Sequence, residues 1–329
     1  VLGIMPWNYP FWQVFRYALP ALIAGNTILL KHAPNVQGCA NAITEIFSEA
    51  IGDNGTFVNL IIDVKRIESV IASSAVAGVS FTGSSKAGKS VAALAGKYMK
   101  PSTMELGGSD PFIVFPDADL DLAVQDALNS RMKNSGQSCI AAKRIIVHAE
   151  IYDQFKNRLL ELFSNLKIGD PLDDKTNIGP LARLDLKEHY DYQVSRTFEM
   201  GAHGVSKPDI PEKGFFGQPV VFDNIPINCP ASSEEIFGPA FSLFKAVNSD
   251  DAIAIANNSK FGLGASIYTA DRKEAFSLSK RLESGTVAIN QIMATDPRVP
   301  FGGIKSSGYG RELGREGLLH FTNRKAVFL

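Results

Sequence analysis

Short apolar runs alternate along this chain with stretches whose apolar residues recur every three or four positions. In the first third, Val1-Leu2-Gly3-Ile4-Met5 and Thr27-Ile28-Leu29-Leu30-Lys31 read as strands. Residues 38–50 have helical spacing, with Ile43, Ile46 and Phe47 on one face, and residues 76–82 form another strand. Gly83-Ser84-Ser85 follows at once, then a helix rich in Ala and Lys over 87–99. Strand, glycine turn and helix in succession predict an α/β fold with a doubly wound sheet. The pattern restarts after Ser109-Asp110-Pro111 with a strand at 112–115 and helices from about Leu120 and Tyr152. Stretches 169–180 and 201–217, dense in Gly, Pro and Asp, read as loops. Strands resume at 241–244, 265–268 and 286–289, and no repeat or low-complexity tract intervenes. Two α/β lobes are expected, with a break near Leu106 to Pro111.

Composition narrows the class. A chain of 329 residues is long enough for two domains, and 45 % hydrophobic with 20 % charged residues suits a globular enzyme. The net charge of −1, with Lys and Arg scattered, argues against nucleic acid or an anionic membrane as partner. No apolar run is long enough to span a bilayer. Cys39, Cys139 and Cys229 are odd in number and far apart, which favours free thiols in a reducing, cytoplasmic setting. The chain opens on Val1 with a strand already under way, so a segment upstream, with any targeting information, is expected to be missing.

Three motifs carry candidate chemistry. Cys139 closes the run Asn134-Ser135-Gly136-Gln137-Ser138-Cys139, where small and polar neighbours suit a reactive thiolate. A lone cysteine is also, commonly, a small buried hydrophobe. Gly83-Ser84-Ser85-Lys86-Ala87-Gly88-Lys89-Ser90 fits the phosphate loop of an NTPase, G-x-x-x-x-G-K-[ST]. The same residues fit a dinucleotide site in which only Gly83 and Ser84 face phosphate; both place an anion at a helix N-terminus. Pro6-Trp7-Asn8-Tyr9-Pro10 is a rigid turn that holds an amide donor of the kind an oxyanion needs, or a surface aromatic turn.

Together these and further motifs make the chain resemble the aldehyde dehydrogenase superfamily, with wording similar to its succinate-semialdehyde dehydrogenase group. The matching residues run nearly end to end: Pro6 to Pro10, Lys31, Phe81-Thr82-Gly83-Ser84, Glu105-Leu106-Gly107-Gly108 and Gly136-Gln137-Ser138-Cys139. Glu234-Glu235-Ile236-Phe237-Gly238-Pro239 and Pro300-Phe301-Gly302-Gly303-Ile304-Lys305-Ser306-Ser307-Gly308 complete them. The resemblance implies a Rossmann-like dinucleotide lobe over 1–107, N-terminally incomplete, a catalytic lobe over 108–308 and a C-terminal return over 309–329. It implies Cys139 as nucleophile, Asn8 as oxyanion donor and Glu105 as general base, the last pointing to water rather than coenzyme A as acyl acceptor. Pro6, Trp7, Lys31, Pro34, Gly83, Ser84, Leu106, Glu235 and Phe237 become the residues around NAD or NADP. Members that prefer NAD commonly carry Glu three residues after the lysine; Pro34 stands there, which makes NADP tolerable. For the substrate, a small aldehyde with a distal carboxylate, the group's pattern points to Arg16, eight positions after Asn8, and to Thr295 on the loop that closes the pocket; six positions before Cys139 the group has a second arginine, where Lys133 keeps the charge and gives up the bidentate fork. Arg16 is equally readable as a structural ion-pair residue. Ile140, Ala141 and Ala142 follow Cys139, so the regulatory thiol that some relatives place beside the nucleophile is not available. No metal is implied. The run Lys325-Ala326-Val327-Phe328-Leu329 reads as a short strand of the kind that joins subunits, implying a homo-oligomer, dimer or tetramer.

Overall fold

Four-residue strands with every side chain buried need cover on both faces, and the first hundred residues supply it. The structure, a computed structural model, describes residues 1–52 and 55–329. Strands β1 (Leu2–Met5), β2 (Ile28–His32), β3 (Phe57–Asn59), β4 (Val79–Thr82) and β5 (Ser102–Glu105) pair in parallel in the order β3-β2-β1-β4-β5. The short strand Gly308–Tyr309 adds antiparallel to β5, placing Gly308 opposite Glu105. Helices α1 (Trp12–Ile23), α2 (Gln37–Ile51), α3 (Ile67–Ala72) and α4 (Ser85–Lys97) complete the layers. One core gathers Met5, Val14, Tyr17, Ile28, Leu30, Ile43 and Phe47; the other gathers Leu2, Ile4, Ile71, Val79, Phe81, Val91 and Met104. The alternation of Leu2 and Ile4 with Met5 between these cores is the strand period of two. The apolar stripe of α2 is narrower than its spacing predicts: Ala40, Ile43 and Phe47 are buried, and Ile46 is 45 % exposed. Gly3 in β1 admits the ring of Tyr17, which would lie 2.0 Å from an added Cβ.

The second sheet follows the same rule over a longer chain. Its strands are β6 (Asp110–Val114), β7 (Ala142–His148), β8 (His203–Ser206), β9 (Val220–Asp223), β10 (Ala240–Ala246), β11 (Gly264–Tyr268) and β12 (Thr286–Ile289). They lie in the order β12-β11-β6-β7-β10-β9-β8, parallel except for β8 against β9. Helices α5 (Leu120–Met132), α6 (Tyr152–Ser164), α7 (Leu184–Glu199), α8 (Pro230–Ser233), α9 (Ser249–Asn257) and α10 (Arg272–Ser279) connect them. Phe112, Val114, Ile145 and Val147 pack on one side with α5 and α6; Ile113, Ile146, Ala265 and Ile267 pack on the other with α9 and α10.

The chain divides into two units, residues 1–107 with 295–329 and residues 108–294. The return to the first unit therefore comes at Thr295, earlier than the expected 309. Pairing explains it: Phe301 and Glu312 bond backbone to backbone, and Ser307 O accepts from Leu106 N, so the intervening residues stay with β5. The stretch 201–217 is not all loop, because His203–Ser206 pairs with β9. Residues 325–329 form no strand, and Val327, Phe328 and Leu329 are exposed. Among the described residues no helix is long and apolar enough to cross a membrane.

Candidate active site

In the first unit the sequence-predicted residues fall at the carboxyl ends of the parallel strands. Pro6, Trp7 and Asn8 follow β1, Lys31 and Pro34 end and follow β2, Gly83 and Ser84 follow β4, and Glu105 ends β5. β1 lies between β2 and β4, so the strand order reverses there, the place where open α/β sheets take ligands. Asn8 is half-buried. Its turn is tied to β2 by His32, whose Nε2 lies 3.0 Å from Pro10 O while Nδ1 accepts from Ala33 N at 2.9 Å. Burial holds the His32 imidazole below its ordinary pKa and favours this neutral form.

These residues fit a dinucleotide. Ser84 caps α4, its Oγ accepting from Ala87 N, so the helix dipole favours an anion at this turn. The ammonium of Lys31 is largely buried and has no carboxylate within ion-pair reach among the described residues, which suits ribose hydroxyls or phosphate. Burial lowers its pKa, with Asp63 acting in the opposite direction. Pro34 is exposed at the start of a single 3₁₀ turn and offers no negative charge. The helix starting at Ser85 answers the NTPase alternative: Gly88, Lys89 and Ser90 lie inside α4, with Lys89 and Ser90 exposed, rather than in the loop that would wrap a triphosphate. Gly88 takes the Leu106 side chain against it, with Leu106 Cδ2 2.2 Å from an added Cβ. Leu106, expected beside the cofactor, donates its N–H to Ser307 O at 3.0 Å.

Glu105 is only 2 % exposed, and neither carboxylate oxygen has a hydrogen-bond partner among the described residues. Burial raises its pKa well above the usual carboxylate range, and Glu312 raises it further; Arg16 and Arg311 pull the other way. The structure places Arg16 in the internal ion pair that its other reading expected. Its guanidinium is buried in an ion pair with Glu312, each side chain 3 % exposed, reaches Thr82 Oγ1 at 3.4 Å and lies 4.7 Å over the Phe301 ring. Thr295 accepts from the Trp12 indole at 2.8 Å and retains its own proton to donate.

In the second unit the candidate residues sit at the amino ends of the strands. Cys139 precedes β7 and is half-exposed. Asn134, Ser135 and Gly136 carry φ of 53°, 55° and 76°, a left-handed run that only surrounding contacts can hold. A Cβ at Gly136 would sit 2.2 Å from Gly238 O. Gln137 bridges to Ala182 N at 2.9 Å and Asn134 O at 3.1 Å. Lys133 is exposed at the end of α5. Glu235, ahead of β10, accepts from Gly108 N at 3.1 Å, and Phe237 beside it is half-buried.

Three buried charges here escaped the sequence reading. Arg131 donates to the carbonyls of Gly136, Ile236, Gly238 and Ala240, joining the Cys139 loop to the Glu235 loop. Lys143 lies under Cys139, with Nζ 2.8 Å from both Ser138 O and Cys139 O and 3.4 Å from Glu235 Oε1. Asp110 accepts from Gly264 N at 3.1 Å; burial pushes it up to about 6, against the pull of Lys143. The available signal was Lys143-Arg144 inside the apolar strand Ala142–His148. Among the described residues no group of three or more His, Cys, Asp or Glu could hold a metal ion.

Comparison with known proteins gives the same direction. The model of the aldehyde dehydrogenase family matches residues 1–327. A probable succinate-semialdehyde dehydrogenase, NADP(+), of Synechocystis sp. is 48 % identical over 332 aligned residues, covering 100 % of this chain and 73 % of that protein. Succinate-semialdehyde dehydrogenase 1, NADP(+), of Mycobacterium tuberculosis is 44 % identical, covering 100 % of this chain and 72 % of that one. The crystal structure of succinic semialdehyde dehydrogenase from Streptococcus pyogenes in complex with NADP+ matches at a TM-score of 0.96 and 37 % identity, over 100 % of this chain and 72 % of that chain.

Proposed function

We infer the activity from one premise: the chain belongs to the aldehyde dehydrogenase family. We propose that it oxidises a small aldehyde with a distal carboxylate, succinate semialdehyde first, to the free acid, using NAD or NADP. The observation that carries this reading is that the chain holds both a half-exposed cysteine on a strained loop and a buried carboxylate with no hydrogen-bond partner among the described residues. A thiolate and an uncommitted base are what acyl transfer to water requires.

The Cys139 thiolate attacks the carbonyl carbon and forms a thiohemiacetal. Asn8 Nδ2 and the Cys139 backbone N–H stabilise its oxyanion, each contributing roughly 3 kcal/mol. Pro6, Trp7, Lys31, Pro34, Gly83, Ser84, Glu235 and Phe237 would hold the dinucleotide, with Leu106 packed beside them, and the nicotinamide would supply the hydride acceptor. After hydride loss Cys139 carries a thioester. Glu105, ionised, takes a proton from water, and the attack of that water releases the acid and the thiolate. Because Arg16 is committed to Glu312, recognition of the distal carboxylate is assigned to Lys133 and Thr295. The NADP names of the relatives and the uncharged Pro34 support use of the phosphorylated cofactor. A homo-oligomer, dimer or tetramer, is part of the same reading, supported by the exposed Val327, Phe328 and Leu329.

The test is absorbance at the reduced-nicotinamide band with succinate semialdehyde, for the parent chain and Cys139→Ser. The parent turns over and the variant is silent; equal rates, with no thioester trapped on the parent, would remove the covalent mechanism. Phosphate release from ATP without aldehyde oxidation would restore the NTPase alternative.

A further inference from the structure

Lys143 is an unusual side chain for its place. It occupies the second position of β7, a strand otherwise apolar apart from Arg144 and the terminal His148, and its side chain is 4 % exposed. A buried ammonium is costly unless its donors are used. Here the bonds go to Ser138 O and Cys139 O at 2.8 Å each, with Glu235 Oε1 at 3.4 Å and the Phe237 ring at 6.0 Å. Every one of these groups belongs to one of two loops, the loop ending in Cys139 or the loop carrying Glu235.

The bond to Ser138 O has a geometric consequence. The peptide joining Ser138 to Cys139 is planar and trans, as no cis bond occurs among the described residues, so its N–H points opposite to its C=O. A cation that captures Ser138 O therefore turns the Cys139 N–H away from the buried side. That N–H is the backbone donor assigned above to the oxyanion. The same ammonium reaches the carboxylate assigned to the nicotinamide ribose.

We propose that Lys143 is a positioning residue that aims the Cys139 N–H, holds Glu235 in its ligand-ready orientation and, as a fixed cation, favours the thiolate of Cys139. The proposal rests on the roles given to Cys139 and Glu235 above. The charged and titratable groups facing Lys143 are Glu235 from the loop before β10, Asp110 from the head of β6, Arg131 from the end of α5 and Cys139 itself; Arg144 faces Asp110. Burial lowers the Lys143 pKa; Glu235 most strongly, then Asp110 and Cys139, oppose that, and Arg131 adds to it. Interaction free energies are reciprocal, so a Cys139 thiolate that favours the Lys143 cation is itself favoured by it.

The experiment measures three quantities on the intact chain with Lys143→Met and Lys143→Arg: the pH profile of Cys139 alkylation by iodoacetamide, read by peptide mass; the Kd for NADP; and kcat with KM for succinate semialdehyde. Lys143→Met is expected to move the alkylation midpoint about one pH unit upward, weaken NADP about tenfold and lower kcat about 10²-fold with KM little changed. Lys143→Arg, which keeps the charge, recovers the alkylation midpoint. Should Lys143→Met fail to fold, Asp110→Asn/Lys143→Met removes one buried charge of each sign and carries the same expectations. A Lys143→Met or double variant with parental alkylation profile and parental Kd overturns the inference while leaving the proposed function intact. A parent whose Cys139 resists iodoacetamide at every pH overturns both.

Discussion

Arg16→Met separates an internal ion-pair role from the substrate role that the family resemblance suggests. The Arg16–Glu312 pair is almost wholly shielded, and Glu312 Oε1 also accepts from Ser80 Oγ at 2.9 Å. Removing the arginine leaves a buried carboxylate with one hydroxyl donor, a loss of about 3–5 kcal/mol for breaking one side of a buried pair. The Thr82 bond at 3.4 Å is long and adds little; the contact with Phe301 is worth about 0.5–2 kcal/mol and is partly kept by the methionine stem. A total near 4 kcal/mol is a large share of a net stability of about 5–15 kcal/mol. At an m-value of about 3 kcal/mol per M, the urea midpoint of the first unit falls by roughly 1.3 M, followed by circular dichroism and Trp7 and Trp12 fluorescence. The double variant Arg16→Met/Glu312→Leu removes both charges and recovers most of the loss. Glu105 also loses a counter-charge in Arg16→Met, so its pKa climbs further and turnover needs higher pH. An Arg16→Met chain as stable as the parent, with KM raised for succinate semialdehyde and unchanged for propanal, would show that the guanidinium faces substrate and that the ion-pair argument is wrong.

Glu105 makes two opposite pH statements. As a base it works only when ionised, so turnover rises with pH through a range above that of ordinary carboxylates, and Glu105→Gln should show a burst of reduced nicotinamide followed by stalled turnover. As a buried acid whose folded pKa exceeds its unfolded one, its stabilising contribution is complete below the unfolded value and is lost as pH rises through the folded value. Glu105→Gln should therefore flatten the fall of Tm as pH rises above the ordinary carboxylate range, read by calorimetry; an unchanged slope would contradict the burial argument. Gly136→Ala meets Gly238 O and an unfavourable φ together, and kcat should fall about 10²-fold with far-ultraviolet dichroism intact. Pro34→Glu places a carboxylate after Lys31 and should weaken NADP about tenfold while leaving NAD within about twofold, measured by titration of intrinsic fluorescence.

The sheets were legible where a strand is buried on both faces, because an apolar run such as Leu2–Met5 or Phe112-Ile113-Val114 has few alternatives. His203–Ser206 was not, since it is an edge strand with three of its four residues exposed and reads as loop. Ile46 was placed inward by spacing alone, but the stripe of α2 is satisfied by Ala40, Ile43 and Phe47. The glycine-rich motifs marked the carboxyl ends of β4 and β5, where Gly83 lies against the Phe81 ring, 2.7 Å from an added Cβ.

What sequence could not give was the partner of each charge. Arg16 and Glu312 are 296 positions apart, and nothing local distinguishes an arginine that will meet a carboxylate from one that will meet a substrate. Lys143 poses the same problem in reverse: an ammonium in an apolar strand signals a buried acceptor, yet two of its three acceptors are main-chain carbonyls, which every residue carries. Backbone acceptors leave no trace in residue identity. A charged side chain in a strand whose neighbours are all buried is therefore better treated as a question about main-chain geometry than about an ion pair, and here that question leads to the peptide that bears the Cys139 N–H.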